Sequence, residues 1–231
     1  CKAFDLDSAI AAVLPAISAK TVVIPLLNGM RHMSVLSDRI GAQHVLGGYC
    51  ALAITLSAEG QVLHLNGNHI FRFGEQSGAM SDRVLAIENM LKPANFNSAA
   101  SATIIHDMWE KWIMLATLAG ITCLMRGNIG AVLNAPAGEK LIFQLLSECI
   151  NVTQAHGFEA RTEFLERTTS MLVDHQSQLT ASMLRDIQAG NRTEADHILG
   201  DLISRGEDKH VSVPLLKAAY CHTKVYELLR A

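Results

Sequence analysis

The sequence predicts a chain in two halves, an α/β half over residues 1–100 and an all-α half over residues 101–231. In the first half, helical periodicity alternates with β-branched runs and with turn signals such as Asn28-Gly29. In the second half, helical periodicity dominates and turn signals are few. With 231 residues, 49% of them apolar, the chain can bury a sizeable core in one large domain or two ordinary ones.

The first half is predicted to open with a helix and a buried strand. Helical spacing of apolar residues favours a helix over 6–18, and the run TVVIPLL over 21–27 is typical of a strand buried on both faces. A second helix over 31–40 leads into one long strand over 45–56. The remaining predicted elements are strands at VLHL and HIFRFGE, separated by the turn Asn66-Gly67-Asn68, a helix over 81–91 and a strand over 103–105.

The second half is predicted to be a succession of helices. Their ranges are 106–126, 129–134, 137–156, 160–176, 179–189, 193–206 and 213–230. Gly127, Gly157 and Gly190 fall at helix ends, where glycine commonly terminates a helix, and Pro214 falls near the start of the last one.

Composition excludes several classes of function. The net charge is -3 without basic clusters, which argues against nucleic-acid and membrane-surface binding. Five widely spaced cysteines include no pair at metal-binding or disulfide-framework spacing, so no metal site is expected. The longest apolar run, residues 112–125, is too short to span a bilayer, and the opening CKAFDLD is not a signal peptide. We therefore expect a cytoplasmic protein with reduced thiols.

Four polar residues stand out as candidates for chemistry, each with a plainer structural alternative. Lys111 lies in the apolar segment WEKW, where lost hydration would lower its pKa and suit it to proton transfer, although a lysine at the rim of a core helix could equally extend to solvent. Glu194 could simply stabilise a helix start, and Ser182 could do the same. Asn28 follows a predicted parallel strand, at the sheet edge where ligands bind, but Asn-Gly is also a common turn.

The order of the motifs carries more information than any one of them. The segments are CKAFDLDSA, VVIPLLNGM, VLGG, EGQVLH, GNHIFRFGE, MWEKWIMLATLAGITCLMRGNIGAVL, SMLRDIQAGNRTEADHILG and VSVPLLKAAY. From end to end of the chain, this series resembles the ketopantoate reductase (2-dehydropantoate 2-reductase) family. The resemblance implies the C-terminal part of a Rossmann-type dinucleotide-binding domain, followed by a helical 6-phosphogluconate-dehydrogenase-like domain for substrate binding and dimerisation.

The same resemblance implies a reaction and its catalytic residues. Family members use NADPH to reduce a 2-oxo acid to a 2-hydroxy acid, with 2-dehydropantoate to pantoate, on the route to coenzyme A, as the type reaction. Lys111 matches the catalytic lysine that gives a proton to the ketone oxygen. Glu194 matches the acidic residue that contacts substrate or cofactor hydroxyls and helps to organise that lysine.

The remaining site residues follow from the resemblance in the same way. Ser182 matches the serine that binds the substrate acid, and Asn28 matches the asparagine that touches both the nicotinamide ribose and the substrate. Lys2 matches a lysine near the cofactor, and the backbone near Ile54 is a further expected cofactor contact. The implied partners are a small-molecule 2-oxo acid and a second copy of the chain in a homodimer.

The sequence departs from the family pattern at two places. One and two helical turns after Lys111 the family usually carries asparagines, whereas this chain has Leu115 and Ala119, which favours a 2-oxo acid with a more apolar body. No glycine fingerprint G-x-G-x-x-G occurs, so we expect the phosphate-binding units to be missing from the N-terminal side.

Two alternatives stay open at this point. The first is another reductase of the same superfamily, such as a 2-hydroxy acid or polyol dehydrogenase, which the residues Leu115 and Ala119 favour. The second is a non-catalytic helical oligomerisation and binding module, because an incomplete Rossmann sheet would expose a strand edge and apolar helix faces.

Overall fold

The computed structural model describes residues 1–57, 59–65, 67 and 69–230, and the chain divides into two compact units. The first unit consists of Cys1, Asp5–Leu27 and His32–Met108. The second consists of Lys2–Phe4, Asn28–Arg31 and the chain from Trp109 onward. Two short segments from the first 31 residues therefore belong to the helical unit. Within the described residues, no helix is long and apolar enough to cross a membrane.

The first half of the chain alternates helices and short strands. In chain order the elements are α1 (Leu6–Val13), α2 (Arg31–Ile40), β1 (Gly47–Ala51), β2 (Ile54–Leu56), β3 (Val62–His64), β4 (Ile70–Gly74), α3 (Asp82–Leu91) and β5 (Asn97–Ala100). Helix α1 is shorter than predicted, because Pro15 falls in a turn of 3-10 helix over Leu14–Ala16. Helix α2 has the predicted bounds.

The strands of the first unit form two small sheets. One has the order β1-β4-β5, with β1 and β4 antiparallel (Gly47 opposite Gly74) and β4 and β5 parallel (Phe71 opposite Ser98). The other pairs β2 with β3 in antiparallel register, with Ile54 opposite His64. Leu46, Phe73 and Val84 form the buried centre on which the three-stranded sheet and α3 pack.

Three strand predictions are wrong in detail. The segment 45–56 is two strands in different sheets instead of one, and 21–27 contributes a single parallel bridge between Val23 and Val45. Residues 103–105 are not a strand, because the long helix already begins at Ile104 and the last strand lies earlier, at Asn97–Ala100. The predicted turn residues Asn66 and Asn68 lie outside the described residues.

The second half is helical, as predicted. Its helices are α4 (Ile104–Met125), α5 (Ile129–Leu133), α6 (Gly138–Ala155), α7 (Thr162–Leu172), α8 (Ser182–Gln188), α9 (Asp201–Asp208) and α10 (Pro214–Arg230). The helix predicted over 193–206 differs, since α9 is preceded by a segment of π-helix over Asp196–Gly200. Gly157 and Gly190 have the positive φ angles of helix-terminating glycines, 87° and 73°.

Candidate functional site

Helix α4 places Lys111 opposite Asn28 within the second unit. Lys111 is half-buried and lies between Trp109 and Trp112, whose indole rings are almost fully buried. Its Nζ atom donates a hydrogen bond to Oδ1 of Asn28 at 3.0 Å. The two residues are 83 positions apart in the sequence, and the fold brings them together. An ammonium group held by an amide oxygen in partly apolar surroundings is suited to donating a proton.

Asn28 sits in a turn that requires glycine at the next position. Gly29 has a φ of 79°, a backbone conformation that side chains disfavour. A Cβ atom at Gly29 would lie 3.1 Å from both Cδ2 and the backbone oxygen of His197. The turn therefore packs tightly on His197, which sequence reasoning did not single out.

Glu194 is buried and contacts Lys2 and Ala3, near the start of the chain. One carboxylate oxygen accepts a hydrogen bond from the backbone N–H of Ala3 at 2.9 Å, and the other lies 3.5 Å from Nζ of Lys2. Glu194 is 6% exposed, so the partners matter: a buried carboxylate must be hydrogen-bonded to be tolerated. The predicted residues Lys2 and Glu194 are thus in direct contact.

Lys2 also pairs with Asp186 of α8, at 2.8 Å between Nζ and Oδ2. Burial lowers the pKa of Lys2, but the hydrogen bond to Asp186 and the charges of Glu194 and Asp186 outweigh it, and the pKa is raised. Lys2 therefore stays positively charged. Asp186 was missed from the sequence, because its ion pair with Lys2 spans 184 positions.

Ser182 is the first residue of α8, and its side chain is exposed. It lies one helical turn before Asp186, so the two side chains project from the same face of α8.

Leu115 and Ala119 follow Lys111 at one and two helical turns of α4. Leu115 is half-buried, whereas Ala119 is buried in the core of the second unit. Of the two, Leu115 therefore has the accessible surface on the helical face that carries Lys111.

Ile54, the remaining predicted contact, belongs to the first unit. It lies in β2 opposite His64, and about half of its side chain is exposed. Its part in cofactor binding stays a prediction. Among the residues that the structure describes, no three His, Cys, Asp or Glu side chains converge in a way that could hold a metal ion.

Comparison with known proteins matches most of the chain to the models of one protein family. The model of "Ketopantoate reductase PanE/ApbA" matches residues 1–78, and that of "Ketopantoate reductase PanE/ApbA C terminal" matches residues 103–227. A protein of Bacillus subtilis (strain 168), the uncharacterized oxidoreductase YkpB, is 32% identical over 226 residues, which cover 98% of this chain and 75% of that protein.

Two further proteins are similar to this chain, one in sequence and one in fold. A 2-dehydropantoate 2-reductase of Halobacterium salinarum is 26% identical over 94% of this chain and 70% of its own length. A D-mandelate dehydrogenase, solved with NADH and anilino(oxo)acetate, superposes with a TM-score of 0.87 at 20% identity, over 99% of this chain and 75% of that one. The predicted fold class, a Rossmann-type α/β part followed by a helical part, is confirmed.

Proposed function

The chain belongs to the ketopantoate reductase family, and from that premise we propose that it reduces a 2-oxo acid to a 2-hydroxy acid with a nicotinamide dinucleotide. The type reaction is 2-dehydropantoate to pantoate, which the name of the Halobacterium salinarum relative supports. The observation that carries the proposal is the hydrogen bond from Lys111 to Asn28. The proposal assigns cofactor binding to residues 1–100 and substrate binding to residues 101–231.

Lys111 is the proposed proton donor. When bound, the reduced nicotinamide supplies the hydride that reaches the carbonyl carbon. Negative charge then develops on the carbonyl oxygen, where the Lys111 ammonium can stabilise it and deliver a proton. The hydrogen bond with Asn28 at 3.0 Å fixes the direction of the Nζ atom before substrate arrives, which lowers the cost of orienting it.

The other predicted residues divide between substrate and cofactor in this proposal. Ser182 takes the substrate carboxylate, and Asn28 contacts both the substrate and the nicotinamide ribose. Glu194 accepts hydrogen bonds from hydroxyl groups, while Lys2 compensates its charge in the buried setting. Glu194 also helps to organise Lys111 in this proposal, as the family resemblance implies.

The residues fit one end of a dinucleotide better than the other. An amide, a carboxylate and two ammonium groups suit the hydroxyls and amide of a nicotinamide riboside. The phosphates would need a glycine-rich turn at a helix N-terminus, and the 231 residues contain no G-x-G-x-x-G. We propose NADPH over NADH on the family resemblance.

A more apolar substrate is the second candidate. Leu115 replaces a polar residue of the family pattern on the face of α4 that carries Lys111, and it cannot hydrogen-bond a hydroxyl of the substrate. The similarity of fold to a D-mandelate dehydrogenase, solved with anilino(oxo)acetate, agrees with this alternative.

Turnover tests both candidates. The purified protein is assayed by NADPH absorbance with ketopantoate and, separately, with phenylglyoxylate. We expect Lys111→Ala to lower kcat by about 10²-fold or more, as for loss of a general acid. Lys140→Ala, an exposed lysine of α6, should leave turnover unchanged.

The substrate ratio decides between the candidates. A clear preference for phenylglyoxylate that reverses in Leu115→Asn would establish the apolar specificity, and a preference for ketopantoate would refute it. If neither acid is reduced while NADPH binds, the proposed reaction is wrong.

A homodimer is the proposed assembly. It rests on the family resemblance and on two large apolar side chains near the end of α10, Leu228 and Leu229, which are 77% and 81% exposed. Light scattering after size exclusion should give about twice the chain mass of 25.1 kDa. A mass of one chain at micromolar concentration would contradict it.

A further inference from the structure

His197 occupies an unusual position three residues after Glu194. It lies in the π-helical segment Asp196–Gly200, and only 7% of it is exposed. π-Helical turns are rare and often mark functional sites, because they redirect side chains that a regular helix would place elsewhere. None of the roles assigned above uses this imidazole.

The ring of His197 is hydrogen-bonded to the Asn28–Gly29 turn and packs closely against it. It is hydrogen-bonded to the backbone of Asn28, an interaction that favours the protonated ring, as expected when a ring N–H donates to a carbonyl. Its Cδ2 atom also lies 3.1 Å from the position a Cβ atom of Gly29 would occupy. The absence of a side chain at Gly29 is what lets the ring approach.

The π-helical segment is itself fastened to α4. The indole Nε1 of Trp112 donates a buried hydrogen bond of 2.9 Å to the backbone oxygen of Ile198, the residue after His197. Trp112 also follows Lys111 directly in the helix. Three hydrogen bonds therefore connect α4 with the π-helical segment. Lys111 of α4 is bonded to Asn28, and Asn28 is bonded to His197. Trp112 of α4 is bonded to Ile198, the residue after His197.

Opposing effects act on the pKa of the His197 imidazole, and burial is the largest of them. Burial lowers the pKa of His197, and Arg31 lowers it further, while Asp201, Glu194 and the bond to Asn28 oppose the shift. The pKa lies below its ordinary value of 6.5, so the ring is mainly neutral at pH 7. A neutral ring can keep one fixed N–H for Asn28 without adding a cation beside Lys111.

We propose that His197 is a positioning residue, which holds the Asn28–Gly29 turn so that Oδ1 of Asn28 directs the Lys111 ammonium. The effect of His197 on catalysis rests on the proposed reductase function. Its role in holding the Asn28–Gly29 turn does not depend on that function. His197 contacts neither substrate nor cofactor in this account. It acts through Asn28.

Two variants of His197 and one of Gly29 distinguish a role in positioning the turn from a general effect on the stability of the fold. His197→Leu fills the space but removes the N–H, and His197→Gln restores a donor. Gly29→Ala perturbs the same contact from the other side, by placing a methyl group 3.1 Å from the imidazole. His175→Leu is the control, because His175 is an exposed histidine that hydrogen-bonds Asn134 elsewhere in the same unit.

The first readout is the division between kcat and KM. We expect His197→Leu and Gly29→Ala to lower kcat on the order of tenfold and to raise KM for the oxo acid by a smaller factor. A misdirected Lys111 fails in the transition state, whereas Asn28 contributes only one of the proposed substrate contacts. His197→Gln should recover most of the loss. Equal losses in the Leu and Gln variants, or none in either, would overturn the proposal.

The second readout needs no turnover. Hydrogen exchange of the backbone amides of residues 28–31 should be faster in His197→Leu than in the parent, and close to the parent in His197→Gln and His175→Leu. Unchanged exchange in His197→Leu would overturn the proposal. If the parent reduces no oxo acid but exchange responds as expected, the reductase function fails while the role of His197 in holding the turn stands.

Discussion

The two units of the chain use buried polar groups to different extents. In the described ranges, the first unit buries His32 and His44, whereas the second buries ten polar residues. Three of these ten are glutamates, and each accepts a hydrogen bond from a backbone N–H far away in sequence: Glu110 from Arg161, Glu148 from Leu215 and Leu216, and Glu194 from Ala3.

The nearest counterpart in the first unit is Glu88, which is only half-buried. It accepts from the backbone N–H of Ala100 at 2.9 Å and so ties α3 to β5. A buried carboxylate is costly unless it is fully hydrogen-bonded, and for that reason it fixes its partners firmly. The second unit thus uses one device three times, and at Glu194 the device lies beside Lys2 in the candidate site.

The largest expected effect is a difference in reactivity between the buried and the exposed cysteines. Burial raises the pKa of the Cys149 and Cys123 thiols, both in the second unit, to about 12. At pH 8 such a thiol has about a thousandfold less thiolate than an ordinary one, and only the thiolate reacts. In Ellman's assay we expect the exposed Cys1 and Cys221 to react quickly, and Cys123 and Cys149 only after denaturation.

Cys50 allows the same comparison of reaction rates in the first unit. It lies in β1 with an intermediate exposure, so it should react more slowly than Cys221 and well before Cys149. Cys221→Ser should remove one fast thiol and nothing else. Reaction of Cys149 at the rate of Cys221 would show that the second unit opens far more readily than its packing implies.

Removing a buried carboxylate should give the next largest effect. Glu148→Ala leaves the N–H groups of Leu215 and Leu216, in the first turn of α10, without their acceptor. We expect a loss of about 2–4 kcal/mol in the free energy of unfolding, because two donors without an acceptor, one of them buried, add to the lost bonds. Both tryptophans, Trp109 and Trp112, belong to the second unit, so fluorescence in urea measures this unit.

Glu148→Gln is the matched control for that loss. It keeps an acceptor at the same position and should lose clearly less stability than Glu148→Ala. Equal unfolding midpoints for the parent and Glu148→Ala would mean that the start of α10 is satisfied by other groups.

The sequence predicted the helices better than the strands, for a physical reason. Helices α2 and α10 are set by periodicity within themselves, and their predicted bounds agree with the structure within a residue. A strand needs a partner, and β5 pairs with β4, which lies 27 positions earlier in the chain. The sequence of β5 has no β-branched run that would have predicted it. The segment 21–27, which has such a run, makes only one bridge.

The candidate site shows the same limit. Lys111, Asn28, Glu194 and Lys2 were identified through their resemblance to family motifs, and the fold places them in one unit. Asp186 and His197 carried no signal of their own, because their importance lies in contacts across more than 160 positions. The π-helical segment was equally hidden, since its residues have ordinary helical spacing.

The half-buried glutamate of the first unit should matter less than Glu148. We expect Glu88→Ala to cost about 1 kcal/mol, the typical value of a single hydrogen bond where water can replace the lost partner. Hydrogen exchange at Ala100 and its neighbours in β5 would report the change, because the first unit has no tryptophan. Glu88→Gln should exchange like the parent, and a loss as large as that of Glu148→Ala would remove the contrast between the units.

The smallest expected effect is a pH dependence at the surface of the second unit. Lys224 lies 3.0 Å from the Asp196 carboxylate and 2.6 Å from Glu227. Burial raises the pKa of both carboxyls, but hydrogen bonds from Tyr220 and Lys224 to Asp196, and from Lys224 and Thr193 to Glu227, outweigh it and lower both pKa values.

The sign of the dependence follows from those lowered values. Each carboxylate contributes its full stabilisation above the unfolded-state pKa values of 3.8 and 4.5, and loses it as pH falls through the lower folded-state values. Unfolding monitored by fluorescence should therefore show a free energy of unfolding that decreases as the pH is lowered beneath about 4.5. The slope of this free energy against pH should be shallower in Lys224→Met. The difference should be modest because solvent screens exposed pairs. An unchanged slope would mean that this surface network does not contribute to the acid response of the second unit.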